Sequence, residues 1–274
     1  MITVTKENDI NWVRIADYRR PLIYLDHCAL RHFSSNTESY KRFFSSFQTK
    51  GTLCFSWMNF YDIGGNGAGR SLENMKIFMD EVGNNWVPIH FNPQKVMDSE
   101  KASVPMPFVD GSIIKAYYPF IHAGSLTLNQ AVDLAGALEV KSVRQKNISS
   151  LQDLRSDINA YINDPYGKTR GEKIFQETIF VPSRPTEFVY HKIFSLLLKQ
   201  GQLLSNNDII DFFHAVVALS HVDTVVLDGG WADRARQISI PDGRVECYSA
   251  NKKGLDRFQE DFGNFFKRIS RHIP

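Results

Sequence analysis

Four aspartates stand at or just past the ends of short apolar stretches, and this recurrence narrows the chain to few architectures. The run 21–25 (PLIYL) ends in Asp26, and the run 52–56 (TLCFS) is followed six residues later by Asp62. Far downstream, an apolar helical stretch opening at Asn206 carries Asp211, and the run 224–227 (TVVL) meets Asp228. Helical periodicity separates the runs: Tyr40, Phe43, Phe44 and Phe47 repeat at i, i+3, i+4 and i+7, with Gly51 ending the pattern. Strand–helix–strand order implies a parallel sheet with helices on its faces, a three-layer α/β fold. In such a sheet, residues just past the strand ends line the ligand crevice.

Carboxylates gathered there repel one another and take up protons unless a cation lies between them. Hard oxygen donors in that number select Mg²⁺ or Mn²⁺. A divalent ion held by aspartates is equipment for phosphodiester hydrolysis. Asp62 and Asp211 fall near helix starts, where the amide dipole favours an ionised side chain.

The remaining sequence sets bounds on the class. A chain of 274 residues, 43% hydrophobic and 12% aromatic, suffices for one large core or a domain with a substantial insertion. The formal net charge of +2 argues against a protein that coats nucleic acid, but not against an enzyme with a local basic rim. Cys28, Cys54 and Cys247 lack CxxC spacing, and reduced thiols in a cytosolic setting fit better than disulfides or zinc. The charged N-terminus is unlike a signal peptide, and no run approaches a membrane span. The expectation is a soluble cytoplasmic protein.

Further along, Ser71 can cap a helix closed by Gly83. Five prolines between 84 and 124 read as irregular chain or short extended pieces. Helices are expected over 126–145, 151–162, 187–199 (ended by Gly201) and 254–269, the last amphipathic through Leu255, Phe258 and Phe262. Asp208 reads as the cap of the helix carrying Asp211, and Asp223 as structural. The division expected is 15–83 and 201–274 as two halves of one α/β domain, with a mainly helical insertion or cap over 84–200.

In order and spacing, the pattern resembles the PIN domain, a family of metal-dependent nucleases. The resemblance rests on residues 24–26 (YLD), 55–62 (FSWMNFYD), 207–218 (NDIIDFFHAVVA) and 222–228 (VDTVVLD), less than half the chain. It implies hydrolysis of single-stranded RNA with Mg²⁺ or Mn²⁺. Asp26 and Asp228 would be direct ligands, Asp211 a ligand or holder of metal-bound water, and Asp62 the opposite flank. Ala218 would be the family's small residue. Three departures stand out: Asp62 replaces the usual glutamate, Val226 and Leu227 replace the Thr or Ser before the last aspartate, and 84–200 has no family counterpart.

Candidate substrate contacts are His214, one turn after Asp211; Arg234, in the run 231–236, read equally as solvated surface charge; and Arg70 in the glycine-rich loop 64–71. That loop superficially fits a P-loop, but arginine stands for the lysine and no strand leads directly into it. His214 has a plain alternative as a satisfied core histidine. Two other functions compete with this one. One is a catalytically inactive PIN-like interaction or scaffold module. The other is a haloacid dehalogenase-type phosphatase, which needs a second aspartate where Cys28 stands. The insertion leaves room for a homo-oligomer or a protein partner.

Overall fold

The chain opens on alternating apolar and polar residues, which suits a strand. In the computed structural model, β1 (Ile2–Glu7) pairs antiparallel with β2 (Ile10–Ile15), and the short β6 (Gly124–Ser125) adds to the other side of β1. The structure describes residues 2–7, 10–15, 21–47, 51–56, 58–60, 63, 70–113, 124–137, 140–241 and 245–269.

The main sheet contains β3 (Leu22–Leu25), β4 (Thr52–Ser56), β5 (Trp86–Ile89), β7 (Thr224–Leu227) and β8 (Glu246–Ser249). All pairings are parallel, and the spatial order is β5-β4-β3-β7-β8. From β3 the chain builds outward through β4 to β5, then returns to the other side of β3 as β7 and β8. The junction of β3 and β7 is therefore the topological switch point, where open α/β sheets place their ligand crevice.

Successive side chains of each strand enter opposite layers. Ile23, Leu25, Leu53, Phe55 and Val226 belong to one core. It is completed by α1 (His27–Ser35), α2 (Thr37–Phe47), α3 (Arg70–Val82), α5 (Leu128–Ala137) and α11 (Lys252–Ile269). At its centre the Phe43 ring stacks on Phe33, Phe47, Phe78 and Phe262 at centroid separations of 5.3, 5.1, 5.5 and 5.8 Å. Leu22, Tyr24, Cys54, Val87 and Leu227 enter the other core. There they meet α4 (Pro93–Lys101), α6 (Val140–Asn163), α8 (Pro185–Gln200), α9 (Asn206–His221) and α10 (Gly229–Gln237), while α7 (Gly167–Glu177) packs along α8. This is the expected three-layer α/β arrangement.

The stretch from 84 to 124, expected as irregular chain or short extended pieces, contains one such extended piece that joins the main sheet. Trp86–Ile89 is the outer strand of the sheet. Pro88 fits because an edge strand has one unpaired side and can spare an N–H. That side is closed by the returning chain: His90 N–H donates to Phe108 O at 2.8 Å, and Asp110 N–H to Pro88 O at 3.0 Å. Pro93 opens α4 at a position where a missing N–H costs nothing, with the Asn92 side chain as cap. Leu151, Ile158, Ile162, Phe188 and Val189 share a core with the sheet, so these helices form part of its second layer.

Two glycines close helices in the left-handed conformation, Gly83 at φ 59° and Gly201 at φ 62°. Among the described residues no helix is long and apolar enough to cross a membrane.

Candidate functional site

Asp26 and Asp228 end adjacent parallel strands. Leu25 pairs with Val226, and the Asp26 N–H donates to the Val226 carbonyl at 2.9 Å. Each aspartate then leaves the strand in extended geometry and caps a helix: Asp26 Oδ1 accepts from His27 N at 2.7 Å, and Asp228 Oδ1 from Trp231 N at 2.9 Å. Capping engages one oxygen of each carboxylate and leaves the second outside the cap. A capping aspartate normally stays a strong acid, because the helix dipole favours its charge. Asp26 does the opposite, its carboxyl pushed up to about 6. Burial is the largest cause and the negative charge of Asp228 adds to it, against backbone amides of His27 and Asp228 that favour the anion.

Asp211 lies in the second turn of α9. Partial desolvation of the Cys28 thiol, and then the charges of Asp26, Asp228 and Asp211, raise the pKa of that group, so the three carboxylates act on one point. Among the described residues, however, no three His, Cys, Asp or Glu side chains stand close enough together to ligate one ion. Asp62 and the glycine loop 64–69 lie outside the described residues, as does the side chain of Arg70. The donor chemistry that is present fits Mg²⁺ or Mn²⁺, since Mg²⁺ sites commonly use one or two carboxylates and complete the shell with water and substrate phosphate.

Two residues expected to reach substrate are occupied elsewhere. His214 is 3% exposed. Its Nε2 lies 2.6 Å from Ser56 Oγ, its ring meets Tyr24 and Phe91 at 5.5 and 5.1 Å, and burial pushes its pKa down to about 3. It is a neutral core histidine, packed away from any phosphate. Arg234 is 7% exposed, lies over the Trp231 ring at 4.7 Å, and donates to Gln200 and Gln202. Its charge is felt near Asp228, but its donors serve glutamines.

The neighbouring acids have local roles. Ser205, not Asp208, is the cap of α9; Asp208 closes a capping box by accepting from the Ser205 N–H at 2.8 Å. Asp223 accepts from Leu22 N at 2.7 Å and ties the start of β7 to β3.

Ser249 was missed by sequence reasoning. It ends β8 opposite Leu227, is 3% exposed, and its hydroxyl would lie 3.7 Å from a Cβ placed on Gly229. β7 has no hydroxyl at Val226 or Leu227, and β8 carries one beside Leu227 at Ser249. A serine closing an apolar run, as Ser56 does, was the available signal.

No protein-family model, curated protein or solved structure matches this chain.

Proposed function

We propose that this chain is a PIN-like, Mg²⁺- or Mn²⁺-dependent endonuclease that hydrolyses phosphodiester bonds, with single-stranded RNA in the cytoplasm as its substrate. One observation carries the reading: two aspartates converge at the switch point of a parallel sheet, and the charge of one helps to hold the other's carboxyl up to about 6. Two helix caps do not require such closeness, whereas a shared cation rewards it.

In this reading Asp26 and Asp228 hold the ion through the oxygens not used in capping. Asp211 extends the negative surface, and Asp62 is the fourth acid assigned to the site. Gly229 and Gly230 open α10 without side chains, so a phosphate can approach the N–H groups of that helix start. Arg234 keeps a positive field beside Asp228 while its donors remain on the glutamines. A bound divalent ion would supply Lewis-acid activation of water and stabilisation of the charge that develops at phosphorus.

The test is incubation of purified protein with labelled single-stranded RNA and DNA, with Mn²⁺ or Mg²⁺ and then with EDTA. Cleavage of RNA that needs the metal, and that disappears in folded Asp26→Asn and Asp228→Asn variants, is the expected outcome. Cleavage that survives EDTA would overturn the metal-dependent mechanism, and none under any condition would replace this reading with that of an inactive PIN-like interaction module.

A further inference from the structure

The crevice end of the sheet carries a second polar pair, at the outer strand. Extending the strand registers puts Ile89 level with Ser56 and Asp26, and His90 level with Asp228. Strands stand about 4.8 Å apart, so β5 runs roughly 10 Å from β3 and roughly 14 Å from β7. A short single strand of nucleic acid lying across the sheet end covers that distance. The antiparallel return of residues 108–110 along β5 brings Asp110 to the histidine, with His90 Nδ1 3.4 Å from Asp110 Oδ2. Beyond His90 the Phe91 ring meets Phe213 and His214 at 5.4 and 5.1 Å, which seats this turn against the helix carrying Asp211.

The pair fixes which nitrogen of the imidazole carries the proton. Asp110 Oδ1 accepts from the Ser112 N–H at 2.9 Å and from the Ser112 hydroxyl. Burial opposes the charge of Asp110, yet hydrogen bonds from His90 and Ser112, with the charge of His90, hold its carboxyl down to about 2. An ionised carboxylate facing Nδ1 requires the proton on that nitrogen, and in the neutral imidazole Nε2 is then an acceptor. The His90 side chain is 15% exposed, and Nε2 is neither buried nor hydrogen-bonded among the described residues. This sets His90 apart from His214, whose Nε2 is taken by Ser56 inside the core. A phosphodiester offers only acceptors and does not suit an acceptor nitrogen. The donor that RNA carries along its backbone is the ribose 2′-hydroxyl, which DNA lacks.

We infer that His90 Nε2 accepts a hydrogen bond from the 2′-hydroxyl of a ribose near the cleaved phosphodiester, so that His90 selects RNA over DNA and Asp110 positions it. The inference rests on the nuclease reading and adds recognition of the sugar to it. A site built to hydrogen-bond a hydroxyl discriminates against the analogue that lacks it, because the waiting acceptor is left unpaired.

The test compares cleavage of RNA and DNA of one sequence by the full chain at pH 8 with Mn²⁺, together with RNAs carrying a single 2′-deoxy substitution at successive positions. The parent should prefer RNA about tenfold or more in kcat/KM, and one deoxy position should reproduce that loss. His90→Ala should lower kcat/KM on RNA about tenfold and leave DNA unchanged, and Asp110→Asn should move the ratio in the same direction. A folding defect lowers both activities together, so the ratio isolates the contact. An unchanged RNA preference in His90→Ala, equal losses on RNA and DNA, or a parent that cleaves both alike would overturn the inference while the nuclease reading stands. A parent that cleaves neither removes the nuclease reading instead. The contact is then read by fluorescence anisotropy of the same labelled oligonucleotides: an RNA preference lost in His90→Ala retains it, and no preference removes it.

Discussion

The Ser56 hydroxyl and the His214 imidazole Nε2 lie 2.6 Å apart at the carboxyl end of β4, and this contact fastens the helix that carries Asp211 to the strand that leads toward Asp62. Around it, Ser56 N–H donates to Asn59 Oδ1 at 2.8 Å, and the Asn59 amide reaches the Tyr24 hydroxyl at 3.5 Å. Tyr24 precedes Asp26 by two residues on β3. A buried polar knot therefore links three of the backbone segments on which the proposed site depends. Such knots specify geometry when every member is satisfied.

That knot has a pH signature. Burial pushes His214 from 6.5 down to about 3, so its neutral form belongs to the folded state. The stability it contributes is complete above pH 6.5 and is lost as pH falls toward 3. His214→Phe removes the titration and leaves Ser56 without its partner, costing about 1–3 kcal/mol at pH 7.5. Urea unfolding at pH 7.5 and 5 should show this penalty shrinking by about 1–2 kcal/mol at the lower pH. An equal penalty at both pH values would show that His214 titrates in the fold as it does in the unfolded chain, and a larger one at pH 5 that it is charged there.

Asp26 slopes the other way. Its folded value of about 6 lies above the ordinary 3.8, so the folded state holds its proton more tightly. Its contribution is full below pH 3.8 and is lost as pH rises toward 6. In EDTA at pH 7, Asp26→Asn should be more stable than the parent by about 1–3 kcal/mol. Adding Mn²⁺ should raise the parent's Tm and leave the variant's unchanged. If both Tm values rise equally, the ion binds elsewhere.

The C-terminal helix can be tested at one glycine. A Cβ on Gly254 would stand 2.1 Å from the Ser249 carbonyl oxygen and 3.0 Å from Ser249 N, backbone atoms of β8 that cannot rotate aside. Gly254→Ala should cost about 2–4 kcal/mol in chemical denaturation. Gly111→Ala is the matched control: nothing lies within 4 Å of its Cβ, and a change of about 0.5 kcal/mol or less is expected.

Phe43 is the centre of the aromatic core between α2, α3 and α11, and is fully buried. Phe43→Ala should cost about 3–5 kcal/mol, measured by urea unfolding. A loss below about 1 kcal/mol would mean that the neighbouring rings collapse into the space.

The sheet's central strands were legible because apolar runs of four or five residues, each released into a turn, have few alternatives to a buried parallel strand. Helix ends at Gly83 and Gly201 were legible for a similar local reason: both take a left-handed conformation suited to glycine. What escaped depends on tertiary position. Pro88 reads as a breaker until one knows that its strand is outermost. Arg234 reads as surface charge, although Trp231 one turn earlier was a sign that its guanidinium could lie on a ring. His214 sits one turn from Asp211, and helical spacing cannot say which of the two faces inward. The Glu100–His221 pair joins residues 121 apart, and no local pattern announces it.

The loop that returns along β5 has a consequence for solubility. By engaging the main chain of Pro88 and His90 it blunts the flank on which a second molecule could zip up strand to strand. A shortened chain lacking residues 106–110 would bare that flank, and fibrous association rather than simple unfolding is the failure it invites.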